Sequence, residues 1–179
     1  MLDFFIELIY TPNTLQGEFG MHTTYSYRIK DATTQKHLFA MARAVNLVWN
    51  YCNQITRDAW RCRRRWLTAY DLDPLLAGSS QLLPLHSQTI QAISKEHATR
   101  RNQFRKAKLR WRSNRHSLGW IPFKASGIRI DGDSITYQKK RFRVWLSRPL
   151  PKHLVLATGS FSQDACGHWY VRLQYKSPT

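Results

Sequence analysis

Apolar and polar positions along this chain change period twice. Over residues 23–30, TTYSYRIK, the positions Tyr25, Tyr27 and Ile29 alternate with polar neighbours in a Thr/Tyr-rich run, which predicts a strand. Over 33–66 the period lengthens. Leu38, Met41, Val45, Val48, Cys52, Ile55 and Ala59 recur every three or four residues, the stripe of an amphipathic helix, with Thr33 or Thr34 available to supply the N-cap oxygen. Residues 68–86 hold Pro74, Gly78, Ser79, Ser80 and Pro84 and read as a loop. A second long helix is predicted from Ser87 as cap, with Ile90, Ile93, His97, Phe104, Ala107 and Trp111 as its stripe. From Ser117 the period shortens again. WIPFK, GIRI, SITY, RFRVWL, HLVLATGSF and HWYVRLQYK are short runs broken by DGD, RPLPK and DACG, a series that suggests a small barrel or sandwich.

A single strand is not stable alone. The early strand is therefore expected to join the later ones, with the helix pair inserted between them. The result is an α+β protein with a β-barrel discontinuous in sequence: 23–32 plus 117–179 form the barrel, and 33–116 form an inserted helical lobe of two long helices. Residues 1–22 stand apart as a leader, whether a separate strand or helix or a poorly ordered tail. The first 27 residues contain no Lys or Arg, whereas Asp3, Glu7 and Glu18 are acidic.

Charge narrows the function. Lys+Arg number 28 against 11 Asp+Glu, a formal +17, and 42% hydrophobic residues suffice for a core. Such an imbalance points to a polyanionic partner, and nucleic acid is the expected one. No apolar run approaches the roughly 20 residues of a spanning helix, so no membrane partner is expected. The N-terminus lacks the positive region of a secretory signal. Cys52, Cys62 and Cys166 form no CxxC pair, an odd count that fits reduced thiols in a cytoplasm.

The candidate contacts form three groups. Arg57, Arg61, Arg63, Arg64 and Arg65 surround Trp60 near the end of the first helix. Lys95–Arg115 holds nine Lys/Arg and one acid, Glu96; within it are Arg100, Arg101, Arg105, Lys106, Lys108, Arg112 and Arg115. Arg101, Arg105, Lys108 and Arg112, three or four apart, are expected to line one helix face and follow a phosphate backbone. In the β segment Lys124, Arg129, Lys139, Lys140, Arg141 and Arg143 interleave with aromatics. Tyr25, Tyr27, Trp120 and Phe123 are candidates for base stacking. Trp145 and Trp169, on alternating inward positions, are expected in the core. Asp131 and Asp133 flank Gly132 between two strands, which is hairpin-turn chemistry rather than an acid/base pair. His97 falls on the apolar stripe and reads as buried. Cys166 and His168 lack the further ligands a zinc site needs. There is no Gly-rich phosphate loop, nucleophile elbow or triad, and neither a cofactor nor an enzyme activity is expected.

Four stretches together resemble the TnpB (OrfB) family of insertion-sequence proteins, relatives of the compact type V CRISPR effectors. They are TYSYRIKDATTQKHLFAMARAVNLVWNYCNQ (24–54), LPLHSQTIQAISKEHATRRNQFRKAK (83–108), GWIPFKASGIRIDGDSITYQKKRFRVW (119–145) and GSFSQDACGHWYVRLQY (159–175). The FK pair, the turn at Asp131–Gly132 and the closing WYV strand are similar to the family's in order and spacing. The resemblance implies a small wedge-type, OB-like β-barrel with an inserted helical recognition lobe, also described in family names as helix-turn-helix. Together these parts grip a guide RNA and target DNA. Arg57–Arg65, Arg100–Arg115 and Lys139–Arg143 would carry that role. In the family, the closing strand leads into a RuvC-like nuclease with three carboxylates and a zinc ribbon with CxxC pairs. This chain ends before both, so the transposase label is implied but nuclease activity is not.

The favoured expectation is a nuclease-less TnpB-like protein that binds guide RNA, target DNA or both, alone or with a separately encoded nuclease half. The rivals are a sequence-specific DNA-binding repressor or transposon-end factor, and a decayed remnant of a longer transposase gene.

Overall fold

A computed structural model describes residues 22–30 and 32–177, and the side chains of all of these except residues 32 and 33. The leader, apart from His22, lies outside the described residues. Strand β1 spans His22–Ile29 and helix α1 spans Ala32–Arg63. Short helices α2 (Ala69–Leu72) and α3 (Ser79–Leu82) follow, with a 3-10 turn at Pro74–Leu76 between them. Helix α4 spans Ser87–Phe104. The remaining strands are β2 (Trp120–Lys124), β3 (Ile128–Asp131), β4 (Ser134–Tyr137), β5 (Lys140–Trp145), β6 (Val155–Gln163) and β7 (Trp169–Lys176).

The seven strands form one antiparallel sheet in the order β2-β6-β7-β1-β5-β4-β3. The early strand sits in the middle of it, paired with β7 on one side and β5 on the other. The sheet curls into a nearly closed barrel. Phe123 of β2 and Tyr137 of β4, far apart in strand order, have ring centroids 5.8 Å apart, and both touch Phe161 of β6. Two glycines permit this close packing. A Cβ on Gly159 would meet the Phe123 ring at 2.5 Å, and one on Gly119 would meet the Trp169 ring at 2.2 Å. The fold is thus mixed α+β with a barrel, and the sandwich alternative falls away.

The first helix follows its predicted stripe: Leu38, Met41, Val45, Val48 and Cys52 are buried, and they form one cluster with the barrel interior. It starts two residues before Thr34, so Thr33 and Thr34 lie inside the first turn rather than capping it. It ends at Arg63 because Arg64 turns left-handed, at φ 52°, and the Arg64 and Arg65 amides donate back to the Trp60 and Ala59 carbonyls at 3.0 and 3.2 Å.

The second helix differs more from expectation. His86, not Ser87, caps it, its Nδ1 accepting from the Gln88 amide at 3.2 Å. It stops at Phe104, where Arg105 adopts φ 49°, ψ 42°. Ala107 and Trp111 are therefore not on the helix, and Phe104 is exposed. Trp145 is also corrected. It is 60% exposed, because alternation along β5 turns Phe142 and Val144 inward and Arg141, Arg143 and Trp145 outward. Trp169 is buried as expected. Gly132, at φ 56°, opens the two-residue β3–β4 turn, so Asp131 and Asp133 are turn residues.

Candidate nucleic-acid interface

Beyond Phe104 the chain runs as an irregular strap along α1. Three asparagines on one face of α1 hold it. Asn53 receives the Leu109 amide and donates to the Leu109 carbonyl, both at 2.8 Å. Asn50 does the same for Arg112, at 2.8 and 2.7 Å. Asn46 donates to Asn114 Oδ1 at 3.0 Å and accepts from Arg112 Nε at 2.7 Å. Trp49 Nε1 adds a bond to the Arg110 carbonyl at 3.2 Å. The amides of Asn53 and Asn50 thus stand in for the neighbouring strand that the strap lacks, while Asn46 bonds its side chains.

Arg112 locks the strap to the barrel. Its guanidinium lies 6.0 Å from the Trp49 ring and 5.9 Å from the Trp120 ring, and it donates to the Leu118 carbonyl at 2.7 Å. Burial lowers its pKa, yet a guanidinium stays protonated in a protein. Here the charge holds structure together and is not offered to solvent.

A groove runs between this strap, α4 and the outer face of the sheet. It has two sections, of about 730 and 640 Å³, and both are bordered by Trp120 and Arg172. Arg100 and Arg110 border the first section, while Lys95 and Lys124 border the second. Glu96 and Asp73 border the second as well. Both acids are engaged: Glu96 accepts from Arg100 at 2.7 Å and Asp73 from Ser94 at 2.6 Å.

Strand register builds the groove floor. Inward positions hold Tyr27, Val171, Phe161 and Ile121, so their neighbours point outward. Thr24, Gln174, Thr158 and Lys124 form one outward row across β1, β7, β6 and β2. Ser26, Arg172, Ser160 and Pro122 form the next. The floor is polar and, along these rows, free of carboxylates.

The structure separates the predicted contact residues. Arg101 is the main correction. It is 0% exposed, packs 4.2 Å over the Trp66 ring and donates to the Leu67 carbonyl at 2.9 Å, so it lines no surface. Because α4 ends at Phe104, Arg105, Lys108 and Arg112 do not continue a helical row with it. Tyr27 and Phe123, at 1% and 2% exposure, face the barrel interior and offer no stacking surface. Tyr25 is half-buried beneath Arg148, 4.6 Å from its ring. Arg57 and Arg61 share Asp58, and Arg65 holds Asp71 at 2.7 Å. Arg63, Arg64, Arg105, Lys106, Lys108 and Arg115 are exposed, as are Arg129, Lys139, Lys140, Arg141 and Arg143 on the other side of the strand order from β2. Of the predicted set, Arg100, Arg112, Lys124 and Trp120 border the groove, and the buried Phe123 lies beneath its second section.

Lys95 and Arg110 fall within the predicted basic stretch Lys95–Arg115 without being singled out there, and Arg172 lies outside every predicted group. The signal for Arg172 was the alternation in WYVRLQYK, which buries Trp169, Val171, Leu173 and Tyr175 and turns Arg172 outward.

Behind the groove, His97 is buried at 4.9 Å from the Trp49 ring. Desolvation, reinforced by the Arg101 charge, pushes its pKa down to about 4, so it is neutral at pH 7. It is a packing residue, as its place on the apolar stripe suggested.

Fold and site define a mixed α+β protein with a nearly closed antiparallel barrel and a basic groove along its outer face. No family model matches the chain, and no curated protein matches it.

Proposed function

We propose that this protein binds nucleic acid through the groove between α4, the asparagine-held strap and the outer face of β1, β7, β6 and β2. The observation that carries the reading is the groove's lining. Lys95, Arg100, Arg110, Lys124 and Arg172 border it with Trp120, five cations against two acids, Glu96, which pairs with Arg100, and Asp73, which accepts from Ser94. Guanidinium and ammonium groups along a channel follow a phosphate backbone and release its counterions. The +17 net charge adds long-range attraction.

Under this reading the barrel is the OB-like wedge and the helices the recognition lobe of a TnpB-like protein. It takes structured guide RNA, target DNA or both, in a prokaryotic cytoplasm, and a separately encoded nuclease supplies any cleavage. The chain itself carries no catalytic step in this scheme. The test is binding of a structured RNA and of duplex DNA by fluorescence anisotropy across a salt series. Tight binding at physiological salt with a steep negative salt slope supports the reading. Absence of measurable affinity for either ligand at that salt refutes it.

A further inference from the structure

We infer that Trp145 is a second contact, a stacking platform for an unpaired base of single-stranded nucleic acid. It lies outside the groove, on β5. The strand's alternation forces the indole outward, and it is 60% exposed, in contrast to the buried Trp169. The neighbours of this ring, rather than its exposure alone, say what would stack on it.

Arg28 of β1 stands directly opposite Trp145, with Tyr170 of β7 opposite Arg28 on the far side. Arg141 and Arg143 share the outward face of β5. The Lys30 ammonium lies 4.8 Å from the ring centroid and is tied to Asp133 at 3.2 Å. Asp133 of the β3–β4 turn is the carboxylate tied to this group, and Tyr170 is hydrogen-bonded to Asp164. Lys30 holds the Asp133 carboxyl below its usual range, chiefly through its hydrogen bond. An aromatic ring set among Arg28, Lys30, Arg141 and Arg143 suits a base flanked by phosphates better than an apolar protein surface, which would have to desolvate those cations.

Binding would exchange one contact for a stronger one. An exposed ammonium over an indole is a weak cation–π pair, and base stacking on the same ring exceeds it. The base displaces Lys30 from the ring, and the released ammonium meets the neighbouring phosphate. A paired base keeps both faces within its helix and cannot make this contact. The inference shares the nucleic-acid reading above but rests on a different surface.

The test uses the full chain and two labelled probes, an unstructured oligouridine and a hairpin duplex. Trp145→Ala should weaken oligouridine binding by roughly 5- to 150-fold and leave hairpin binding unchanged. Trp145→Phe should keep most of the affinity, and the salt slope should not move, because no cation is lost. Arg172→Glu in the groove serves as the comparison. If Trp145→Ala binds oligouridine like the wild type while Arg172→Glu is impaired, the platform is refuted and the groove reading stands. Equal weakening of both probes by Trp145→Ala also refutes a single-strand platform. If the wild type binds neither probe, both readings fall.

Discussion

Replacing Asn53 by alanine removes the side chain that most fully ties the strap to α1. Asn53 is buried and makes two bonds to one residue, accepting the Leu109 amide and donating to its carbonyl, both at 2.8 Å. Leu109 is itself buried. Alanine would leave a buried N–H and a buried C=O without partners, each costing about 1–3 kcal/mol. The expected loss is therefore about 2–6 kcal/mol, a large part of the roughly 5–15 kcal/mol of a domain's total stability. The damage can also be local, with the strap detaching while the barrel stays folded. Urea unfolding reads the first outcome, and hydrogen exchange at the Leu109 and Arg112 amides reads the second. Asn50→Ala is the graded comparison. Asn50 makes the same pair of bonds but is only half-buried, so water replaces part of what is lost, and about 1 kcal/mol is expected. Strap loosening should also weaken nucleic-acid binding, since Arg110 and Arg112 border the groove. The reasoning is refuted if Asn53→Ala unfolds at the wild-type urea concentration and the Leu109 amide keeps its protection.

His97 makes stability depend on pH. Its folded pKa is about 4 against an ordinary 6.5, so within that window the unfolded chain binds a proton that the folded protein refuses. Stability should be unaffected by His97 above pH 6.5 and should fall below it, by about 2 kcal/mol at pH 5 and roughly 3 kcal/mol near pH 4; a His97→Leu variant with the wild-type pH profile between 6.5 and 5 would count against this. Arg101→Met should leave the salt dependence of binding unchanged, because the buried guanidinium meets no ligand, whereas Lys124→Ala and Arg172→Ala should each flatten the slope by about 0.7–0.9; a flattened slope for Arg101→Met would contradict its burial. Gln138 and Lys139 both have positive φ, 48° and 62°, in the β4–β5 turn, and the Gln138→Asn, Lys139→Gly double variant should therefore unfold about 1–2 kcal/mol less readily, provided its melting is measured against the wild type in the same buffer.

By itself the sequence determined the elements whose faces are set locally. Period-two alternation marks β5, β7 and the end of β1, because one side of each pleat must be apolar to reach the core; the same rule turns Arg172 outward. The stripe from Leu38 to Cys52 marks α1 for the same reason at helical period. Where a local pattern met a stronger distant contact, it failed. Arg101, Arg105, Lys108 and Arg112 have helical spacing, yet the asparagines of α1 bond the backbone at Leu109 and Arg112 directly, and a helix there could not offer those amides and carbonyls. Those asparagines stand four and three residues apart in NLVWNYCN, but without the strap's position that spacing has no meaning. Arg101 and Trp145 exchanged their expected environments for a related reason. Burial depends on what packs against a side chain, and only the tertiary structure places Trp66 over Arg101 and leaves the outward face of β5 uncovered. The groove is likewise a tertiary object: Lys95, Arg100, Lys124 and Arg172 lie on three separate elements, and only the packing of α4 and the strap beside the curled sheet brings their charges to one channel.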